Sequence, residues 1–292
     1  MSVALVTGAS RGGTGTAIAV RLAAEGYDVA VTARGKEGLE ETVARMGGGL
    51  AIPCDLVDPG GGRDRIVPQV EAELGPISVL VNNAAAGGYR PFESWTDAQL
   101  RAMQEVNVWA PWLLMRQAVP GMRERGSGAV LNLTSFSAEL PPGPPFPRNK
   151  PATEGSAYGS TKAALNRLTV SAASETHGQG VVVNALAPQA AIATPDLVAA
   201  GWVDPDYMEP LETMAEAALA LLSGSLTGRI CYSLELLVQL DQPVRDLGGK
   251  ELVEGWQPAD LPAVIAGHAA RLESAGWPAP FGGTGGRIRR QD

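Results

Sequence analysis

Cysteine and histidine are nearly absent from this chain. Two cysteines, Cys54 and Cys231, stand far apart in 292 residues. That excludes a disulfide framework and a cysteine-based metal site, and it suits a reducing cytoplasm. Two histidines, His177 and His268, leave too little for a zinc centre or a histidine-based triad, so no metal is expected. Basic charge is also short. Lys and Arg total 23 against 31 Asp and Glu, a net charge of −8. A phosphate backbone finds no footprint there, and no nucleic-acid partner is expected. The one cationic cluster, Arg287, Arg289 and Arg290, reads as a solvated tail. No apolar run reaches the roughly 18–20 residues of a membrane span. Residues 2–7 enter a strand directly, without a basic and apolar leader. Neither a membrane partner nor export is expected, and the expected location is cytoplasmic.

What is present is enough apolar material for a core: 45 % hydrophobic against 18 % charged residues. The length fits one large α/β domain. Runs at 3–6, 29–32, 50–53, 77–81, 129–133 and 181–183 are short and largely Val, Ile, Leu and Ala, as in strands covered on both faces. Between and after them, 14–25, 39–46, 66–74, 98–123, 157–175 and 211–222 read as helices, and 229–237 has room for a seventh strand. This alternation implies a parallel, doubly wound α/β sheet. Two stretches depart from the rhythm. Residues 138–156 hold six prolines and are expected to be irregular, while 238–292 is rich in Pro, Gly and Trp. The chain therefore reads as a domain over 1–237 with a C-terminal extension over 238–292 packed on it, the extension holding a short helix at 262–273.

Thr7-Gly8-Ala9-Ser10-Arg11-Gly12-Gly13-Thr14-Gly15 joins the first strand to the first helix. Glycines allow the sharp turn and a close backbone approach to a ligand. The helix behind them offers unpaired N–H groups to a pyrophosphate. A phosphate-transferring P-loop is excluded, because Thr14 stands where its lysine belongs. The second chemical signal is Tyr158-Gly159-Ser160-Thr161-Lys162. Residues four apart share a helix face. A lysine ammonium beside a phenol favours the phenolate, which an isolated tyrosine titrating near ~10 needs for proton exchange at neutral pH.

These segments together resemble the short-chain dehydrogenase/reductase family over about residues 2–232. The family's Thr-Gly-x3-Gly-x-Gly appears as Gly8-x3-Gly12-x2-Gly15, one residue longer, so either Gly12 or Gly13 fills the middle role. Asp55, in Cys54-Asp55-Leu56, matches the family's adenine-contacting aspartate, though alone it reads equally as a turn residue. Asn82-Asn83-Ala84-Ala85 matches Asn-Asn-Ala-Gly with alanine for glycine. Ser135, after strand five, and Asn107, in the helix after strand four, match the family's serine and asparagine. Thr134 is the competitor for the serine role, with its side chain expected to alternate away. Asn184-x3-Pro188-Gln189 resembles Asn-x3-Pro-Gly, with Gln189 for glycine and Thr194 one residue late.

The resemblance implies a Rossmann-type sheet and an NAD(P)-dependent oxidoreductase that interconverts a carbonyl and a secondary alcohol. Tyr158 is then the acid/base. Lys162 binds the nicotinamide ribose and lowers the Tyr158 pKa, Ser135 bonds the substrate oxygen, and Asn107 holds a water beside Lys162. Cofactor contacts fall on Gly8, Ser10, Arg11, Gly13, Thr14 and Gly15 in the turn. Further contacts fall on Arg34, Asp55, Leu56, Asn83 and Ala84, then on Pro188, Ile192 and Thr194. A lid is expected over 190–208, with Trp202, Tyr207 and Met208 either lining a pocket or packing the lid down. A homodimer or homotetramer is implied, through the helices beginning near 98 and 157.

NADP(H) is expected over NAD(H), which stays as the alternative. An NAD-binding sheet of this kind carries an acid at the end of strand two, and here that position is Ala33, followed by Arg34. Arg34 and Arg11 suit a ribose phosphate. The other reading makes them ordinary surface charges, and Glu37 softens the preference. Two features are untypical of the family: 22 residues separate Ser135 from Tyr158, and the glycine-rich ending after the last strand is missing. Competing readings are a catalytically silent nucleotide-sensing regulator and a dehydratase or epimerase on the same fold.

Overall fold

The computed structural model describes residues 2–58, 60, 62–201, 203–204 and 207–277. Trp202 and the arginine cluster at 287–290 lie outside the described residues. Strands β1 (Val3–Thr7), β2 (Asp28–Ala33), β3 (Leu50–Pro53), β4 (Ile77–Asn82), β5 (Gly128–Leu133), β6 (Val181–Ala187) and β9 (Ile230–Tyr232) form one sheet in the order β3-β2-β1-β4-β5-β6-β9. Every neighbouring pair is parallel. A second, two-stranded sheet joins β7 (Ala191–Ile192) to β8 (Met208–Glu209).

The sheet is buried on both faces because its strands are apolar at most positions. In β1, Ala4 and Val6 enter one core cluster while Val3 and Leu5 enter the other, the alternation a strand imposes. On the first face lie α1 (Thr14–Ala24), α2 (Lys36–Met46) and α9 (Leu211–Ser223), which contribute Ile18, Leu22, Leu39, Met214 and Leu221. On the second lie α3 (Ile66–Glu73), α5 (Ala110–Arg125) and α7 (Ser156–Thr176), with Ile66, Val70, Leu114, Met122 and Ala173. Each such large side chain contributes about 1.5–3 kcal/mol. This is the doubly wound, Rossmann-type sheet implied by the sequence.

Polar side chains then set how α7 sits on the sheet. Asn82 Nδ2 donates to Asn132 Oδ1 at 2.8 Å, and Asn132 Nδ2 donates to Thr169 Oγ1 at 2.8 Å. Asn132 and Thr169 are 0 % exposed, so each lost bond would leave a buried group unpaired. The chain of bonds ties the ends of β4 and β5 to the middle of α7.

Three expectations need correction. The helix read over 98–123 is α4 (Asp97–Gln104), a wider π turn at Glu105–Trp109, then α5. Pro111 has no N–H to give the Asn107 carbonyl, so a regular α-helical ladder cannot run through this point. The strand read over 229–237 ends at Tyr232, and Ser233–Leu240 is helix α10; an apolar run of this length suits either element. The Pro-rich segment is not wholly irregular, since α6 (Lys150–Thr153) carries Pro151 in its first turn, where the missing N–H costs nothing.

The boundary drawn at 237 falls inside α10. Beyond it, Val244 and Leu261 join the first-face core, and the helix read at 262–273 is α11 (Leu261–Ser274). At its end, Trp277 meets Phe136 edge-on at 4.6 Å and donates its indole N–H to Asn149 Oδ1 at 3.1 Å.

Candidate active site

Strand order reverses between β1 and β4, which opens a crevice at the C-terminal edge of the sheet. The glycine-rich turn, Asn82-Asn83, Ser135 and Pro188 all follow strands ending on that edge. Gly8 and Gly12 have φ of 72° and 65°, the left-handed region that glycine occupies freely. A Cβ on Gly15 would lie 2.3 Å from Asn83 Nδ2, and one on Gly8 would lie 2.7 Å from the Ala84 backbone. Asn83 occupies that space because its Nδ2 donates to the carbonyls of Thr7 and Gly8 at 2.8 and 3.1 Å. The Thr7 hydroxyl accepts from the N–H groups of Asn83 and Ala84 at 3.0 Å each. Gly13 is the N-cap of α1 and supplies no side chain to its first turn. Those N–H groups remain for an anion. The turn therefore fits a dinucleotide pyrophosphate.

At the opposite side of the crevice stand Tyr158 and Lys162, one turn apart on α7. Lys162 is 2 % exposed, and its Nζ donates to the Leu133 carbonyl at 2.7 Å. Among the described residues no carboxylate pairs with it. Burial pushes its ammonium down to about 8. Nζ lies 5.7 Å from the centre of the Tyr158 ring. The Tyr158 phenol is pushed above its ordinary value, first by burial and then by the neighbouring Tyr89, against a hydrogen bond with Ser135 that lowers it. The phenol thus stands above its ordinary value on balance, with burial the largest cause.

Ser135 is the hydroxyl at Tyr158. Its Oγ also accepts from the Ser137 N–H at 3.1 Å. Thr134 is buried with its Oγ1 unpartnered, so it is not the one at the phenol. Asn107 is 0 % exposed in the π turn. Its Oδ1 accepts from the Ala86 N–H at 2.8 Å, while Nδ2 donates to the Ala86 carbonyl at 2.7 Å and to Thr161 Oγ1 at 2.8 Å. Here Asn107 acts as a clamp between the loop after β4 and α7.

The remaining sequence-predicted residues divide. Arg34 is exposed beside the half-buried Ala33 and pairs with no acid among the described residues. Arg11 pairs with Asp196 at 3.0 Å. Asp196 lies on α8 (Pro195–Ala200), which stands against the glycine-rich turn, with Pro195 and Thr194 each 3.5 Å from where a Cβ on Gly12 or Gly13 would be. Thr194 caps α8, accepting from the Leu197 N–H at 3.3 Å. Asp55 accepts from the Val57 N–H at 3.0 Å, a turn-holding bond. The Leu56 side chain lies in the core and its carbonyl accepts from Arg63 at 2.9 Å. Ile192 and Met208 are buried, and Tyr207 packs under the Arg271 guanidinium of α11. Met208 thus packs into the domain and Tyr207 against α11.

Three residues escaped the sequence reading. Arg45 of α2 brings its guanidinium 3.8 Å from the position of a Gly12 Cβ; only its place one turn beyond Thr42, which bonds the Ala9 carbonyl at 2.8 Å, hinted at it. Tyr89 contacts Tyr158 and has no spacing signal. Glu209 is fully buried on β8. It accepts from the Ala190 N–H at 3.0 Å, from Thr213 Oγ1 at 2.6 Å and from Ser233 Oγ at 2.7 Å. It thereby ties the segment after Pro188 to α9 and α10. Burial pushes its carboxyl up to about 7, against the lowering by those donors.

The family profile described as short chain dehydrogenase matches residues 2–198. A short chain dehydrogenase of Pseudocercospora fijiensis is 33 % identical over 239 residues, 79 % of this chain and 74 % of that one. The 3-oxoacyl-[acyl-carrier-protein] reductase of Staphylococcus aureus is 34 % identical over 190 residues, 63 % of this chain and 72 % of the relative. The crystal structure of L-sorbose reductase from Gluconobacter frateurii, complexed with NADPH and L-sorbose, superposes with a TM-score of 0.69 at 27 % identity, covering 79 % of this chain and 94 % of that one. The chain belongs to the short-chain dehydrogenase/reductase family, whose members are NAD(P)(H)-dependent oxidoreductases. Among the described residues no helix is long and apolar enough to cross a membrane.

Glu209 generates a stability test. An ordinary glutamate loses its proton near 4.5, whereas folded Glu209 keeps it to about 7. Between those values the folded chain holds the extra proton, so stability from this group falls as pH rises and is lost above about 7. Glu209→Gln lacks the titration. The melting temperature of wild type relative to Glu209→Gln is expected to fall from pH 5 to about pH 7 and to level off by pH 8. A difference that is flat with pH contradicts the assignment.

Proposed function

We propose that this protein interconverts a carbonyl and a secondary alcohol, with Tyr158 as the acid/base and NADP(H) as the preferred cofactor. The observation that carries the reading is the buried Lys162 beside the half-buried Tyr158, with Ser135 hydrogen-bonded to the phenol, on the same sheet edge as the glycine-rich turn. Gly8, Gly13 and the first turn of α1 would hold the pyrophosphate, and Lys162 the nicotinamide ribose. Bound there, the nicotinamide supplies or takes up a hydride. The chain's own residues manage the proton. Ser135 Oγ donates to the substrate oxygen. Tyr158 Oη–H delivers its proton to that oxygen as negative charge develops. A phenol held above its ordinary value stays protonated until needed, and the Lys162 ammonium stabilises the phenolate left behind.

The cofactor preference rests on what stands at the end of β2. Ala33 leaves room for a 2′-phosphate that a carboxylate would repel, and Arg34 is exposed and unpaired among the described residues. Arg11 becomes a second cation when it exchanges Asp196 for a phosphate, since an exposed pair of this kind contributes little. A second copy of the chain is proposed on the α5 and α7 face, where Trp112, Met115, Leu168 and Ala172 line a cleft and Trp109 and Trp112 are about half exposed.

Two measurements test this reading. Tyr158→Phe keeps the ring and removes the proton. It is expected to lower kcat by at least about a hundredfold, within the range general acid catalysis contributes, while leaving the Kd for NADPH within about threefold. A variant with near wild-type kcat rejects the assignment. For the cofactor, kcat/KM with NADPH is expected to exceed that with NADH by more than about tenfold, the equivalent of one good charge-assisted bond at ~1.4 kcal/mol. Ala33→Asp combined with Arg34→Ala is expected to reverse the order. A wild type that favours NADH sinks the argument.

A further inference from the structure

Tyr89 has no role in the chemistry above, yet the structure holds it in place from three sides. Its loop leaves β4 and is clamped at Ala86, where Asn107 bonds both the N–H and the carbonyl at 2.8 and 2.7 Å. Four residues on, the Arg90 N–H donates to the Glu154 carbonyl just after α6, at 3.1 Å. Between the clamps the backbone runs against the Tyr158 ring: a Cβ on Gly87 would lie 2.9 Å from Tyr158 Cδ2. Tyr89 itself meets Tyr158 edge-to-face at 6.3 Å between ring centres. Its hydroxyl lies 2.8 Å from Ser137 Oγ. The same Ser137 gives its N–H to Ser135 Oγ at 3.1 Å. Ser137 is 8 % exposed and Tyr89 38 % exposed, so the pair is sheltered at its root and open at its mouth.

We infer that Tyr89, with Ser137, is the specificity-determining pair of the site and binds a hydroxyl on the substrate carbon next to the reacting carbonyl. The inference rests on Tyr158 and Ser135 taking the reacting oxygen. Those two hydroxyls are then spent on one substrate atom, and the Tyr89–Ser137 pair is the adjoining polar surface. Two hydroxyls bring two protons and four lone pairs. Their mutual bond uses one of each, which leaves one proton to donate and lone pairs to accept. A neutral group that both donates and accepts matches this; a carboxylate or an ammonium does not. A site built around such a pair also rejects a substrate lacking the hydroxyl, because the pair is then left desolvated and unpaired. The substrate class is therefore an α-hydroxy ketone in one direction and a vicinal diol in the other. Nothing new is transferred: the second hydroxyl is held, not oxidised.

The test compares 3-hydroxybutan-2-one with butan-2-one, using NADPH and the full chain. Wild type is expected to favour the hydroxyketone by at least tenfold in kcat/KM. In Tyr89→Phe that ratio is expected to fall below threefold, mostly through a higher KM for the hydroxyketone. Ser137→Ala is expected to narrow the ratio in the same sense. A purely structural role slows both ketones alike and leaves the ratio at its wild-type value, which overturns the inference. Equal kcat/KM for the two ketones in wild type overturns it too. If wild type reduces neither ketone, the ratio is read from Kd by ligand-observed NMR with NADP⁺ present. Tenfold tighter binding of the hydroxyketone that is lost in Tyr89→Phe then upholds Tyr89 while the role given to Tyr158 fails. Equal Kd values reject Tyr89.

Discussion

A buried cation that no carboxylate among the described residues pairs with sits in the middle of this protein. Lys162 is buried at 2 % exposure with the Leu133 carbonyl as its hydrogen-bond acceptor. Burying an ammonium is expensive, and among the described residues no carboxylate offsets it. The rest of the fold must hold α7 in place against that cost. The Asn82–Asn132–Thr169 chain pins the helix to β4 and β5, and Asn107 pins Thr161 from the other side. Both fixings are polar, buried and directional, and both act within two turns of Lys162. A site built this way sacrifices stability for an ammonium poised near neutrality beside a phenol.

The crevice on the other side of the sheet edge follows a different logic. There the backbone, not a buried charge, supplies the polarity. Asn83 and Thr7 lock the end of β4 to the glycine-rich turn, and the glycines are required because Asn83 and Ala84 fill the space side chains would need. The two halves are joined by the pairing of β1 with β4 and by loops. Glu209 holds the segment after Pro188, and the C-terminal extension reaches Phe136, one residue past Ser135, through Trp277. The C-terminal extension is thus anchored both on the first-face core and beside Ser135.

Legibility in the sequence tracked the range of the interactions. Strands covered on both faces announce themselves as apolar runs, so the sheet was readable from β1 to β6. The glycine-rich turn and the Tyr158–Lys162 spacing are local patterns, and their placement on one edge followed from the strand order. What could not be read depends on distant neighbours. Leu234, Leu236 and Leu237 look like strand residues, and only packing on the first-face core makes them helix α10. Pro111 carried the signal for the π turn, but it was absorbed into a long helix. Tyr89 and Glu209 are single residues with no periodic context; their meaning arises when a loop from β4 meets Ser137, and when β8 meets β7. The upward shift of Tyr158 is illegible for the same reason: spacing gives proximity to Lys162 but not burial.

The electrostatics of this site depend above all on the state of the Lys162 ammonium. With lysine labelled at 13Cε, an NMR titration follows each lysine separately, and Lys162→Met identifies the resonance that disappears. Lys162 is expected to titrate near about 8, where burial has pushed it. A value at or above the ordinary 10.5 would mean that the ammonium is solvated or paired, and the proposed electrostatic centre of this site would be wrong.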